Sequence, residues 1–383
     1  MISTIITKPT KVCNASCTYC SAPPDGAPKW SWDQYTRFFD NVADHLTDRA
    51  FLIWHGGEPM LMGPDFYLRA FEYARKKKPN IRFAIQTNLL GYTSKRWREV
   101  FWDVFEGCVS TSYDPDEKYR EYRGSTELYS RLFFKRLEEC LEDGIKPKVI
   151  GTFSEDTAPM AMRLYETSKS YGEKSFHVRF NYRYPVGRDK HTGESITPKR
   201  YGEMLIELYN RWISEVPNFV ITPLDEMLKK TIAIEKARCP WTRSCGGHFL
   251  GVEPNGDTYN CSEFADLGDH QYRFGNVFKD TVPEMLASQA ARMIRRRTVD
   301  LPQDCMTCNH FAECEGGCMR DSVLFDRGLG GKFYYCHSWY AVFDRIKESI
   351  HSGEADGAIR MYGLDPTDVR KARGFDLATQ EVA

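Results

Sequence analysis

The sequence predicts an α/β fold: a partial (βα)6 TIM barrel followed by a smaller, cysteine-rich C-terminal domain. Three observations carry that reading. Short apolar strands alternate with longer amphipathic segments through the first half, the pattern of repeated βα units around a parallel sheet. At 383 residues the chain exceeds the size at which a single core stops growing, so a second unit is expected. Eight of the thirteen cysteines lie between Cys239 and Cys336, a composition unlike that of the preceding half.

The expected strands are Ile2 to Thr7, Phe51 to His55, Arg82 to Gln86, Cys108 to Ser112, Lys148 to Phe153 and Ser175 to Asn181. Helical stretches separate them: Trp32 to Leu46, Phe66 to Lys77, Ser94 to Phe105, Leu128 to Asp143 and Pro159 to Tyr171, with Pro198 to Val216 after the sixth strand. Six units leave a barrel open on one side, and ligands of such sheets gather at the carboxyl ends of the strands. The expected division is a barrel over 1–216, a linker helix region over 217–238, a cysteine domain over 239–345, and a C-terminal helix and tail over 346–383.

Composition excludes several classes. The formal charge of -1 and pI near 6.8 give no electrostatic reason to expect nucleic acid. The basic runs Lys76-Lys77-Lys78 and Arg295-Arg296-Arg297 read as solvated helix ends. Met1 leads straight into strand-like residues without an export signal, and no apolar run approaches the roughly twenty residues of a membrane span. The expectation is a cytoplasmic protein with no membrane partner. In a reducing compartment, clustered thiols read as metal ligands or redox groups and not as disulfides.

The loops after the strands carry the unusual residues. Cys13-x3-Cys17-x2-Cys20 follows the first strand, Gly56-Gly57-Glu58-Pro59 the second, Gln86-Thr87-Asn88 the third and Ser112-Tyr113-Asp114 the fourth. Three thiolates can hold three irons of a four-iron cube and leave the fourth iron open to a ligand, whereas eight thiolates can close two further cubes. Gly56 and Gly57 would let backbone groups approach a small molecule, and the Glu58 carboxylate would accept from an ammonium group. Taken alone, Cys305-x2-Cys308 with Cys314-x3-Cys318 favours zinc. Together with the N-terminal triplet and the other four cysteines, the set favours iron and sulfur. Cys108 and Cys140 fall outside every motif and read as small buried hydrophobes. His55, beside the Gly-Gly-Glu-Pro loop, reads as lining the site or as a packing residue, and His310, between the cysteines, as tuning a metal group by a hydrogen bond or as a surface residue, with exposure preferred.

The triplet, with Tyr19 before its last cysteine and the Gly-Gly-Glu-Pro loop one strand later, resembles the radical SAM superfamily. That resemblance implies a catalytic [4Fe-4S] cube on Cys13, Cys17 and Cys20, whose free iron binds S-adenosyl-L-methionine and whose electron generates a 5'-deoxyadenosyl radical. It further implies that Tyr19 packs near the adenine and that Gly56, Gly57, Glu58 and Pro59 face the methionine moiety. Gln86, Asn88 and Ser112 would line the nucleoside and substrate side. The second half, Cys245-x10-Gly256-x4-Cys261 and then Cys305-x2-Cys308-x5-Cys314-x3-Cys318 with a gap to Cys336, resembles the SPASM extension of these enzymes. Cys239 stands six residues before Cys245, as in anaerobic sulfatase-maturing enzymes. By that resemblance auxiliary cluster I is held by Cys239, Cys245, Cys261 and Cys318, and auxiliary cluster II by Cys305, Cys308, Cys314 and Cys336, giving three [4Fe-4S] clusters in all.

Two closed clusters suggest net oxidation, since they offer a route for the electron a substrate radical must lose. The reading that follows is oxidative modification of a peptide or protein side chain, with crosslinking of a ribosomally made peptide preferred. Sulfatase-type formylglycine formation is the alternative, then a dehydrogenase or epimerase of a carbohydrate or small metabolite, then an iron-sulfur scaffold without radical chemistry. Crosslinking is preferred because the sulfatase-maturing relatives place a basic aspartate after the third ligand of cluster I, where this chain has Ser262 and then Glu263. On a strand, one further residue points to the opposite face, so Glu263 is not expected to replace it. Expected partners are the peptide or protein substrate, a flavodoxin- or ferredoxin-type electron donor, and a separate leader-binding protein. That last expectation arises because no residues before Cys13 suffice for a leader-binding domain. Tyr182-Arg183-Tyr184-Pro185 is placed at the substrate mouth or in an ordinary loop.

Overall fold

The computed structural model describes residues 1–21, 28–188, 195–234 and 239–375. Parts of the expected linker region (235–238) and tail (376–383) lie outside them. The first half alternates β1 (Ile2–Thr7), α1 (Trp32–Val42), β2 (Leu46–Trp54), α2 (Pro64–Lys77), β3 (Arg82–Gln86), α3 (Ser94–Asp103), β4 (Val109–Ser112), α4 (Thr126–Glu142), β5 (Lys148–Phe153), α5 (Ala161–Ser170), β6 (Val178–Tyr182) and α6 (Pro198–Glu215). Then come β7 (Ile221–Thr222), α7 (Leu224–Thr231), β8 (Phe249–Val252), β9 (Asp257–Tyr259), α8 (Ser262–Asp266) and β10 (Gly275–Asn276). Five short helices follow, and then a long one, Cys336–Ser352.

β1 to β7 run parallel in chain order and form a barrel that does not close. A seventh strand, two residues long, adds to β6 inside the stretch expected to be a linker. On the other side the sheet continues into the C-terminal half: β8 pairs parallel with β1, Thr4 opposite Phe249, and β9 and β10 extend it antiparallel. The cysteine domain is thus hydrogen-bonded to the barrel edge.

Period-two patterning explains the strands. On β5 the buried residues Val149, Gly151 and Phe153 face the helices, while Lys148, Ile150 and Thr152 face inward. Helix ends carry matching chemistry: Ser31 and Gln34 form a capping box on α1, and Thr197 caps α6 ahead of Pro198. Packing between sheet and helices is strongly aromatic around Trp54, which meets Tyr35, Phe66, Tyr67 and Phe83 edge-on or tilted at 5.3–5.9 Å. Two buried tyrosine hydroxyls are paired: Tyr35 donates to the Ala70 carbonyl and Tyr67 to that of Pro59, both at 2.6 Å.

The two halves are also pinned by charge. Lys8, just after β1, places Nζ 2.8 Å from Glu253 and 2.5 Å from Asp266, and Lys11 reaches Glu253 at 2.8 Å. Burial acts to lower the Lys8 pKa, but the two carboxylates outweigh it and hold the ammonium charged.

Candidate functional site

The Cys13 to Cys20 loop leaves the carboxyl end of β1 and is held by three other loops. Gly57 N–H donates to the Thr10 carbonyl at 3.0 Å and Glu58 N–H to Val12 at 2.9 Å. Ser16 and Thr18 N–H donate to the Glu121 and Tyr119 carbonyls, both at 2.9 Å. Arg188 closes the third side, its backbone N–H on the Cys20 carbonyl at 3.1 Å and its Nη1 on that of Cys17 at 2.7 Å. The glycines have a steric reason here: a Cβ on Gly56 would stand 2.2 Å from the Thr10 oxygen, and one on Gly57 2.4 Å from that of Lys11.

Cys13, Cys17 and Cys20 all line one cavity of about 720 Å³, together with Tyr19, Gly56, Gly57, Gln86, Asn88 and Ser112. Glu58 and Pro59 are not among its lining residues. The Glu58 side chain, 1 % exposed, accepts from Met60 N–H at 2.9 Å, the Thr87 hydroxyl at 2.7 Å and Asn88 N–H at 2.7 Å. It braces the loop after β3 instead of facing the cavity. Burial pushes its pKa up to about 7 against those three donors. Asn88, so positioned, points Nδ2 at Cys13 Sγ (3.8 Å) and at Asn14 Oδ1 (2.6 Å). Gln86 Nε2 reaches Ser112 Oγ at 3.3 Å, and Ser110 donates to Gln86 Oε1 at 2.8 Å.

Arg120, a further residue at this site, was not singled out from sequence. Tyr19 donates to Asp114 Oδ2 at 2.5 Å, and Asp114 also accepts from Thr152 N–H and pairs with Arg120 Nε, both at 2.9 Å. Arg120 and Arg183 lie over the Tyr19 ring at 5.3 and 5.2 Å. The acid and base six residues apart after β4 were the available signal. His55 lines the cavity with Nδ1 unpaired among the described residues, and burial together with Lys8 pushes its pKa down to about 4.

Glu263 corrects an expectation. The strand β9 ends at Tyr259 and α8 begins at Ser262, so helical and not strand geometry orders Ser262 and Glu263. Ser262 is 5 % exposed with its hydroxyl unpaired among the described residues, and it does not line the cavity. Glu263 is the only carboxylate lining the cavity among the described residues. Its Oε2 accepts from Arg320 Nη2 at 2.8 Å and from the Tyr184 hydroxyl. Burial raises its pKa, but Arg320 and Tyr184 outweigh burial and keep it below the usual carboxylate range. Tyr182, Arg183 and Tyr184 line the same cavity.

The remaining thiols gather in two groups. Cys305, Cys308, Cys314 and Cys336 line a second cavity of about 220 Å³. Cys318, though four residues from Cys314, lies within electrostatic reach of Cys239 and Cys261, and Cys239 and Cys261 of Cys245. Burial pushes Cys13 and Cys314 up to about 12 and Cys245 to about 11. Such thiols shed their protons to a metal when they ligate it. Cys108 and Cys140 join neither group; Cys140 is buried, and Cys108 accepts from Arg82 Nη2 at 3.4 Å. His310 is buried, not exposed, with Nε2 2.7 Å from Asp344.

An open parallel barrel with three thiols in the loop after its first strand is joined here to a domain with eight more. The radical SAM superfamily model matches residues 7–153, and the SPASM model, an iron-sulfur cluster-binding domain, matches 239–309. It is 26% identical over 376 residues to the serine-type anaerobic sulfatase-maturating enzyme of Bacteroides thetaiotaomicron, covering 89% of each chain. It is 25% identical over 365 residues to the cysteine-type enzyme of Clostridium perfringens, covering 90% of this chain and 95% of that one. Among solved structures it is similar in fold to native anSMEcpe with bound AdoMet and Cp18Cys peptide (TM-score 0.76, 20% identity, 92% of this chain and 98% of that one). It is also similar to Streptococcus suis SuiB bound to precursor peptide SuiA (TM-score 0.57, 15% identity, 87% and 75%). Among the described residues no helix is long and apolar enough to cross a membrane.

Proposed function

We propose that the chain cleaves S-adenosyl-L-methionine reductively and oxidises a side chain of a peptide or protein substrate. The observation that carries this reading is Glu263, a carboxylate from the cysteine domain that lines the cavity of the three-thiol loop. Cys13, Cys17 and Cys20 hold the catalytic cube. Cys239, Cys245, Cys261 and Cys318 hold auxiliary cluster I, and Cys305, Cys308, Cys314 and Cys336 auxiliary cluster II. The donor chemistry fits: three thiols leave one iron free, and each group of four closes a cube.

When bound, these groups supply a 5'-deoxyadenosyl radical for hydrogen abstraction and a route for the electron that the substrate gives up. The chain's own residues do the rest. The Gly56 and Gly57 backbone with Gln86, Asn88 and Ser112 offers polar contacts to S-adenosyl-L-methionine, and Tyr19 packs beside its nucleoside. Glu263, held ionised by Arg320 and Tyr184, takes the substrate proton as the side chain is oxidised. A flavodoxin- or ferredoxin-type protein supplies the electron.

The names of the curated relatives favour formylglycine formation. The likeness in fold to Streptococcus suis SuiB bound to precursor peptide SuiA favours the second reading, a crosslink within a ribosomally made peptide. Both products lose a pair of hydrogens, formylglycine made from cysteine also exchanges its sulfur for oxygen from water with release of hydrogen sulfide, and only formylglycine gains a carbonyl that reacts with a hydrazide. The test presents sulfatase-derived serine and cysteine peptides, and short peptides encoded beside the gene, to the reconstituted enzyme with S-adenosyl-L-methionine and dithionite. Loss of two hydrogens from a peptide, with sulfur also replaced by oxygen where a cysteine becomes formylglycine, matched by 5'-deoxyadenosine, supports the reading. Abundant 5'-deoxyadenosine with every peptide unchanged, and turnover of a sugar alcohol instead, contradicts it.

A further inference from the structure

The loop after β3 is built to hold one side chain still. Asn88 N–H donates to Glu58 Oε2 at 2.7 Å, and Asn88 Oδ1 accepts from Leu90 N–H at 3.0 Å. Between them Leu89 is fully buried at φ +66°, a left-handed conformation that a bulky residue adopts only where its surroundings impose it. Its N–H donates to Thr87 Oγ1 at 3.0 Å, and the Thr87 hydroxyl donates to Glu58 Oε1 at 2.7 Å. One buried carboxylate thus grips both residues ahead of the strained turn.

Because Leu90 N–H requires an acceptor, the Asn88 amide has one orientation, with Oδ1 toward Leu90 and the two hydrogens of Nδ2 toward the cysteine loop. There Nδ2 donates to Asn14 Oδ1 at 2.6 Å and to Cys13 Sγ at 3.8 Å, the longer reach of a donor to sulfur. Cys13 Sγ also accepts from Ala15 N–H at 3.4 Å. The Ala15 donor is backbone of the cysteine loop and is present whatever side chain stands there. The Asn88 donor comes from another strand and can be removed by substitution. An electron added to an iron-sulfur cube increases its negative charge, so a donor on one of its thiolates stabilises the reduced form more than the oxidised one and raises the reduction potential.

We propose that Asn88 is a positioning residue that eases electron entry: its amide donates to the Cys13 thiolate and raises the reduction potential of the catalytic cube, and Glu58 with the Leu89 turn holds it in place. The proposal deepens the reading of Cys13, Cys17 and Cys20 as ligands of that cube and rests on it. Asn88 Oδ1 has a second lone pair beyond the one given to Leu90, so the polar contact to S-adenosyl-L-methionine named above is compatible with this role. Glu58 then acts on the cube from outside the cavity, through Asn88.

The test is a potentiometric titration of the anaerobically reconstituted full chain, followed by electron paramagnetic resonance. It is run without S-adenosyl-L-methionine, so that a lost contact to that molecule moves nothing. The signal missing from C13A/C17A/C20A identifies the catalytic cube. In Asn88→Leu that signal is expected to titrate at a more negative potential, with about a tenfold lower reduced-to-oxidised ratio at the wild-type midpoint, or about 59 mV for a one-electron couple. The signals of the two auxiliary clusters stay where they are. Asn88→Asp keeps the volume and the acceptor for Leu90 but sets a carboxylate oxygen beside Cys13, and is expected to move the signal further in the same direction; it decides the question if Asn88→Leu does not assemble the cube. A midpoint unchanged or shifted to more positive potential, in variants that hold about twelve irons, overturns the role of Asn88 and leaves the ligand reading standing. A wild type in which the three thiols contribute no signal overturns both.

Discussion

Arg320 Nη2 donates to Glu263 Oε2 at 2.8 Å, so a buried guanidinium of the cysteine domain fixes the one carboxylate that, among the described residues, faces the cavity of the three-thiol loop. Two consequences follow from chemistry alone. The carboxylate is held ionised, and it is held still. Glu263→Gln preserves volume and removes the proton acceptor. It is expected to lower peptide modification by about a hundredfold or more while 5'-deoxyadenosine still forms without substrate. The ratio of modified peptide to 5'-deoxyadenosine, measured by mass spectrometry, checks this.

Lys8 compensates two buried carboxylates at once. Lys8→Met leaves Glu253 with Lys11 alone and Asp266 without a cation, and is expected to cost about 3–5 kcal/mol of stability. Adding Asp266→Asn removes one stranded charge and recovers part of that loss. Chemical denaturation of both variants measures it.

Alanine at Gly56 or Gly57 puts a Cβ at 2.2 or 2.4 Å from a carbonyl oxygen of the cysteine loop, and Gly56 also has φ +126°. Each substitution pushes that loop out of place, at a cost of about 1–3 kcal/mol. The expected result is loss of the catalytic cube with both auxiliary clusters kept, about eight irons per chain instead of about twelve. Iron analysis of purified variants checks it.

Glu58 makes stability depend on pH. The folded chain keeps the Glu58 proton up to about pH 7, whereas the unfolded chain releases it near 4.5. The folded state therefore binds more protons between those values. Its contribution is fullest below pH 4.5 and is lost as pH rises through 7. Glu58→Gln cannot titrate, so its melting temperature is expected to vary less than that of wild type between pH 5 and 8, although it is lower throughout because an amide cannot accept from all three donors. Calorimetry across that range distinguishes the two slopes.

The parallel strands were legible because alternation of buried and inward residues is a local signal, as on β5 with Val149, Gly151 and Phe153 against Lys148, Ile150 and Thr152. The pairing of β8 with β1 was not, since it joins residues nearly 250 positions apart. The cysteine loop was legible from its spacing. The role of Gly56 and Gly57 was only half legible: sequence gives the need for close approach and not the approaching group, which is the Thr10 to Val12 backbone. Spacing sets Cys318 beside Cys314, and only the fold turns it toward Cys239 and Cys261. Glu263 was misread because its phase depends on where β9 stops, and Cys261 as N-cap of α8 changes the period at that point.

The most direct test of the account is iron and acid-labile sulfide per chain after anaerobic reconstitution, for wild type and for two variants, C13A/C17A/C20A and C305A/C308A. Three cubes of four predict about twelve irons in wild type and about eight in each variant, with equal sulfide. About four irons in wild type, with zinc in the C-terminal thiols and none lost in C305A/C308A, contradicts the account, because no cluster would then be present to carry the electron from the substrate.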